Sequence, residues 1–311
     1  NLTEATNGKQ GELDFFTMAG LYRWAQKENI ESTLIWVMDK LNMVANQIPA
    51  AMDKEHVTRK IMKIIAGVMM HAMDELDDSV AQKARTNKLD LALRLGYSYG
   101  LTYPFIDDLL DANILSNQEE TQYTDLIRTT LRTGNVPELG KWSGKNAEFI
   151  QFVHSELSEA FKYIKGQQRQ ETSKKFFEQA YLFFHSQELD RAKDLSNSTY
   201  SNQSLYVPII LKSASSRLIA RSIISAPHDN GFDNRTFYYG IYNQLADDFT
   251  DMFDDLQEDA VTPYTYFLTH HKTRSDLINP FELYWTVIFH LIHNVFHSDK
   301  NTRDVILARA I

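Results

Sequence analysis

Apolar residues recur three and four positions apart through most of this chain, and that period constrains its fold more than any other feature. Segments at 14–27, 31–48, 56–76, 87–111, 121–132, 145–165, 172–193, 204–225, 234–256, 263–270 and 280–296 each carry an apolar stripe on one helical face. No strand-like alternation competes over a comparable length. The breaks, "TGNVPELGKWSGKN", "GQQRQETSKK", "DLSNSTYSNQS" and "SAPHDNGFDNR", are short and rich in turn formers. With no long linker, no step in composition and no solenoid repeat, the pattern predicts one all-α domain over residues 1–311, a bundle of about ten or more helices. A chain of 311 residues that is 43% hydrophobic can bury a core of that size.

Charge narrows the partners. A formal net charge of −9, from 32 Lys+Arg against 41 Asp+Glu, argues against a general nucleic-acid or anionic-membrane surface. The absence of cysteine excludes disulfides and thiolate chemistry and fits a reducing compartment. Apolar stretches are broken by charges before a membrane span is reached, and no basic region leads into an apolar core at the start. The expectation is a soluble, cytoplasmic protein, with the sequons at Asn1, Asn197, Asn202 and Asn234 arising by chance.

The acid excess is concentrated. "YPFIDDLLDA" puts Asp107, Asp108 and Asp111 at the end of a largely apolar helix, where they repel one another and burial adds a desolvation cost. Pro104, inside that helix, is expected to kink it or weaken one turn. In "YNQLADDFTDMFDDLQED", Asp247, Asp248 and Asp251 repeat the spacing after a second apolar helix. Carboxylates in such pairs suit a hard divalent cation: Mg²⁺ takes only one or two protein carboxylates and keeps waters and substrate phosphate oxygens. Calcium storage fits less well, because no Gly-containing twelve-residue ligand loop is present. His290, His293 and His297 share a helical stripe without a supporting carboxylate, so zinc ligation is disfavoured.

These motifs resemble those of the trans-isoprenyl diphosphate synthase and class I terpene synthase superfamily, over residues 56 to 270. "DDLLD" is similar to the family's first aspartate-rich motif and "QLADDFTD" to its second, including Gln244. "SQELD", with Gln187 and Asp190, is similar to its G-Q-x-x-D helix; "LKSASSRLIA" sets Lys212 and Ser213 in the places of its Lys-Thr pair; "DLQEDAVTPYTYFL" looks like its D-L-x-E-G-K-x-T-x-P segment. The resemblance implies a helical bundle with a central active-site cavity, a prenyl diphosphate substrate, and Mg²⁺, about three ions with bound diphosphate, on both aspartate runs. Lys212 would contact the leaving diphosphate, while a solvent-facing salt bridge is the expected role of Arg217 and Arg221, with a diphosphate contact as the alternative. Tyr103 stands one turn before the first motif, where bulk limits chain length in the family, and Tyr99 lies a turn earlier on the same face. A homodimer is common in that family and carries over only by analogy.

The departures are informative too. Elongating synthases carry an Arg-Arg pair soon after the first motif, and here "ANILSNQEETQ" holds no basic residue. Ala260 stands where the family has Lys, and the N-terminal G-K-x-x-R element survives only as Arg59, Lys60 and Lys63 in "TRKIMK". Those groups mostly hold isopentenyl diphosphate, so one bound diphosphate is expected here. The leading expectation is therefore a terpene synthase that makes a cyclic or rearranged product. A chain-elongating synthase is the first rival, and a non-catalytic partner subunit the second.

Overall fold

A computed structural model describes residues 18–142, 144–224 and 230–310, except for the side chains of 18, 19, 214–217 and 230. Most of the described residues are helical, with no strand among them. The chain divides into two compact units: residues 1–175 with 220–226, and residues 176–219 with 227–311.

The first unit holds α1 (Met18–Glu28), α2 (Glu31–Gln47), α3 (Lys54–Met73), α4 (Gln82–Gly100), α5 (Asn117–Thr133) and α6 (Ala147–Gln167). Its tightest packing is α3 on α4. Side chains at Gly96 and Gly100 would meet α3 at 3.0 Å, from Ile65 Cα and Ile61 Cγ2 respectively, so the "GYSYG" run lets the two backbones close together. Ile61, Ile65 and Val68 of α3 lie against these glycines, and all three are buried. Ser116 and Glu119 form a capping box that starts α5 earlier than apolar periodicity alone suggests, and Gly134, at φ 68°, ends it.

Past α4 the chain continues helically but changes register. Pro104 lacks an N–H, and from Pro104 to Asp108 the helix widens into a π-turn closed by Leu109 N–H donating to Pro104 O. The weakened turn expected at Pro104 takes this form. The change of register falls after Tyr103, so Tyr99 and Tyr103 stay on one face, their hydroxyls 2.8 Å apart, while Asp107 lies within the π-turn itself. Phe105 anchors the turn, packing edge-on against Phe149 and Phe152, while its carbonyl accepts from the Tyr123 hydroxyl.

The second unit takes most of α7 (Gln170–Arg191) and α8 (Asn202–Ile223), then α9 (Asn230–Thr250), α10 (Met252–Gln257), α11 (Pro263–His270), α12 (Pro280–His290) and α13 (Lys300–Ala310). Tyr242, Leu245, Tyr264, Tyr284 and Ile288 are central to its core, with the Tyr242 and Tyr284 rings stacked at 6.0 Å. α11 and α12 both start with proline after a capping Thr262 or Asn279. α13 is not apparent from apolar period, because it buries Ile306 alone; the Tyr242 hydroxyl donates to Ile306 O at 3.1 Å and ties it down.

Candidate metal and diphosphate centre

In the first unit the close α3–α4 seam has a chemical consequence. Ile61 packs on Gly100, so its neighbour Lys60 reaches the π-turn, where Nζ pairs with Asp108 Oδ1 and lies 3.8 Å from Asp107 Oδ2. The positive charge that the aspartates lack in sequence is thus supplied in part by α3. Asp108 Oδ2, in contrast, is buried without a hydrogen-bond donor. Asp111 is exposed. Just before the π-turn, the hydroxyls of buried Tyr99 and half-buried Tyr103 hydrogen-bond at 2.8 Å, with their rings edge to face. Burial foremost, then the Tyr103 contact, holds the Tyr99 phenol far above its ordinary range and therefore neutral.

In the second unit Asp248 lies on unbroken helix and is 8% exposed. Gln244, one turn earlier, donates to its Oδ1 at 2.8 Å, and Oδ2 is buried with no donor. Burial raises the Asp248 carboxyl to about 7 against the opposing pull of the Gln244 hydrogen bond and the Lys212 charge; Asp255 and Asp190 push it up further. The structure therefore gathers Gln244, Asp248, Lys212 and Asp190 into one electrostatic neighbourhood. Asp190 is paired with Lys193 at 2.6 Å. Gln187 is buried, and Ser213, also buried, turns its hydroxyl back to Ile210 O at 3.2 Å.

Asp247 and Asp251 are exposed. Arg309 of α13 binds Asp247 and donates from Nη1 to Asn243 Oδ1 at 2.8 Å, a contact that sequence pattern misses along with α13 itself. Tyr264 is missed too. Its hydroxyl is buried without a partner, and burial first, then the Asp248 charge, pushes its phenol up. Its position in "TPYTYF", two residues after the helix cap, was the available signal. Of the two arginines on the Lys212 helix, Arg217 has its side chain outside the described residues. Arg221 belongs to the first unit, where burial and the Arg221 charge lower the His71 pKa.

Among the described residues no three of His, Asp and Glu converge as a ready metal cage. Magnesium does not need one, and the donor set fits it on another ground: Asp108 and Asp248 each present a buried carboxylate oxygen that lacks a protein partner. Among the described residues no helix is long and apolar enough to cross a membrane. No protein-family model matches the chain, and comparisons with curated proteins and solved structures return no match.

Proposed function

We propose that this protein is a class I terpene synthase-like enzyme, with the helical fold of that superfamily, that ionises a linear prenyl diphosphate and converts it to a cyclic or rearranged terpene plus diphosphate. The observation that carries this reading is the matched state of Asp108 and Asp248. The second aspartate of each D-D-x-x-D run keeps one oxygen buried and undonated, a costly arrangement that a hard cation with its diphosphate would offset. Asp107, Asp108 and Asp111 would hold Mg²⁺ in one unit, and Asp247, Asp248 and Asp251 in the other. When bound, Mg²⁺ supplies Lewis-acid neutralisation of the charge that builds on a departing diphosphate.

The chain's own residues do the remaining work. Gln244 orients Asp248, Lys60 orients Asp108, and Lys212 offers the diphosphate a charge-assisted contact. The Tyr99 and Tyr103 rings add apolar surface and π-faces that exclude water and favour positive charge, worth on the order of 0.5–2 kcal/mol each. Lys60 is engaged by Asp107 and Asp108, which removes the central member of the Arg59, Lys60 and Lys63 group that would otherwise anchor a second diphosphate. That supports turnover of an allylic diphosphate alone. The test is incubation with C10, C15, C20 and C25 diphosphates and Mg²⁺, with and without isopentenyl diphosphate, followed by mass analysis of products. A hydrocarbon or alcohol plus free diphosphate, indifferent to isopentenyl diphosphate, is expected. A longer prenyl diphosphate formed only when isopentenyl diphosphate is present would replace this reading with chain elongation.

A further inference from the structure

In the first unit, α2, α4 and α6 border a cleft of about 150 Å³ whose charged groups are unequally engaged. Glu156 of α6 is buried and fully occupied: Lys40 Nζ donates to its two oxygens at 3.1 and 3.2 Å, and the Tyr97 hydroxyl donates to Oε2 at 3.1 Å. Lys40 also reaches Glu159, at 3.4 Å. Arg94 of α4 differs from them. Its Nε donates to Asp90 at 3.3 Å and its guanidinium lies 4.7 Å from the Trp36 ring centroid, yet neither Nη donates to any described residue. Tyr163, on the α6 side, likewise has no hydrogen-bond partner for its hydroxyl among the described residues. Burial foremost raises the Tyr163 pKa, the nearby Arg94 charge lowers it and the Asp90 charge raises it. Unfilled donors from α4 and α6 thus share one small space, with the apolar Leu101 and Ala160 also in its lining.

We infer that this cleft binds a small monocarboxylate of about six heavy atoms, with the carboxylate accepting from the Arg94 Nη pair and the Tyr163 hydroxyl and a short apolar tail against Leu101 and Ala160. The volume sets the size, since a cavity of about this volume holds a molecule no larger than benzene. The unfilled donors set the chemistry. The planar end of a guanidinium matches a carboxylate through two parallel hydrogen bonds, and the Trp36 ring holds that plane in place. Charge balance sets the valence: Glu156 and Glu159 offset Lys40 and Arg94 in the lining, and Asp90 adds a negative charge beside Arg94. A single negative charge can be compensated there, whereas a multiply charged anion such as diphosphate is repelled. None of Lys60, Asp107, Asp108 and Asp111 lines the cleft, so it is separate from the metal centre and stands whether or not that centre is catalytic.

The test uses the full chain, labelled with ¹⁵N and held in EDTA so that the metal centre is silent, with butyrate as the probe. The indole N–H resonances of the 4 tryptophans report binding, that of Trp36 being assigned by its loss in Trp36→Phe. Butyrate should shift the Trp36 resonance saturably and leave the others in place. Butyramide, its neutral counterpart, and inorganic phosphate should each bind at least about tenfold more weakly. Arg94→Lys, which keeps the charge and loses the fork, should weaken butyrate binding by about tenfold, and Tyr163→Phe by about threefold. A shift that does not saturate, that spares Trp36, or that butyramide or phosphate produces equally well would overturn the assignment, as would undiminished affinity in Arg94→Lys. The comparison of the three probes on the wild type decides between these outcomes even if the lysine variant fails to fold.

Discussion

Asp108 and Asp248 hold the same position in the same D-D-x-x-D pattern, yet their surroundings differ in kind. Asp108 ends a π-turn that Pro104 opens, and a lysine from a neighbouring helix lies against it. Asp248 sits on regular helix, faces a neutral glutamine amide and is buried so far that its carboxyl is raised to about 7. One carboxylate is compensated by charge; the other is pushed toward its neutral form. What they share is the oxygen left without a donor. The difference teaches that residue spacing fixes which carboxylates are grouped, while packing fixes how much each costs to keep charged.

The largest expected effect treats the two positions as equals. Asp108→Ala and Asp248→Ala should each lower turnover of a prenyl diphosphate by roughly tenfold to a thousandfold, the loss of an electrostatic contact worth a few kcal/mol. Steady-state release of diphosphate under saturating Mg²⁺ measures this. Full activity in either variant would break the equivalence.

Stability should separate them. Asp248 has a folded pKa of about 7 against a reference of 3.8. Between those values the folded protein retains a proton that the unfolded chain has lost. This group's contribution therefore favours folding at low pH and is lost as pH rises through about 7. In EDTA, Asp248→Asn should raise stability at pH 8 by up to about 4 kcal/mol, with the gain shrinking toward pH 4. Asp108→Asn discards a contact with Lys60 and should show no such gain. Thermal or urea melts across pH decide it; parallel behaviour of the two variants would mean that their environments do not differ as described.

The smallest effect concerns the π-turn side. Tyr103→Ala removes bulk one turn before the first aspartate run together with a 2.8 Å hydroxyl contact to Tyr99. Preference among C10 to C25 diphosphates should shift toward longer chains, by several-fold in relative kcat/KM, on the order of 1 kcal/mol. An unchanged substrate series and product profile would return Tyr103 to an ordinary packing role.

Sequence makes some of this legible and leaves the rest hidden for physical reasons. Helices with a wide apolar stripe are readable, as are both aspartate runs and the disturbance at Pro104. The form of that disturbance is not, because the π-register depends on Phe105 finding Phe149 and Phe152 and on Tyr123 reaching the Phe105 carbonyl. Lys60 reads as a remnant anchor for a second substrate; only the Gly96 and Gly100 contact with α3 shows why it reaches Asp108 instead. α13 escapes because a helix that buries Ile306 alone has almost no apolar period, and Arg309 on Asp247 escapes with it. The raised carboxyl of Asp248 is a property of burial, which no local spacing encodes.

If Asp108 and Asp248 each serve a cation that holds diphosphate, ligand binding must stabilise the fold through each of them. The most direct measurement is the melting temperature with Mg²⁺ and inorganic diphosphate, taken for the wild type, Asp108→Asn, Asp248→Asn and the double variant at one pH. Mg²⁺ and diphosphate together should raise the wild-type melting temperature, by an increment set by ligand concentration over Kd, and either substitution should reduce or abolish the rise. No rise in the wild type at saturating ligand, or an undiminished rise in the double variant, would contradict it.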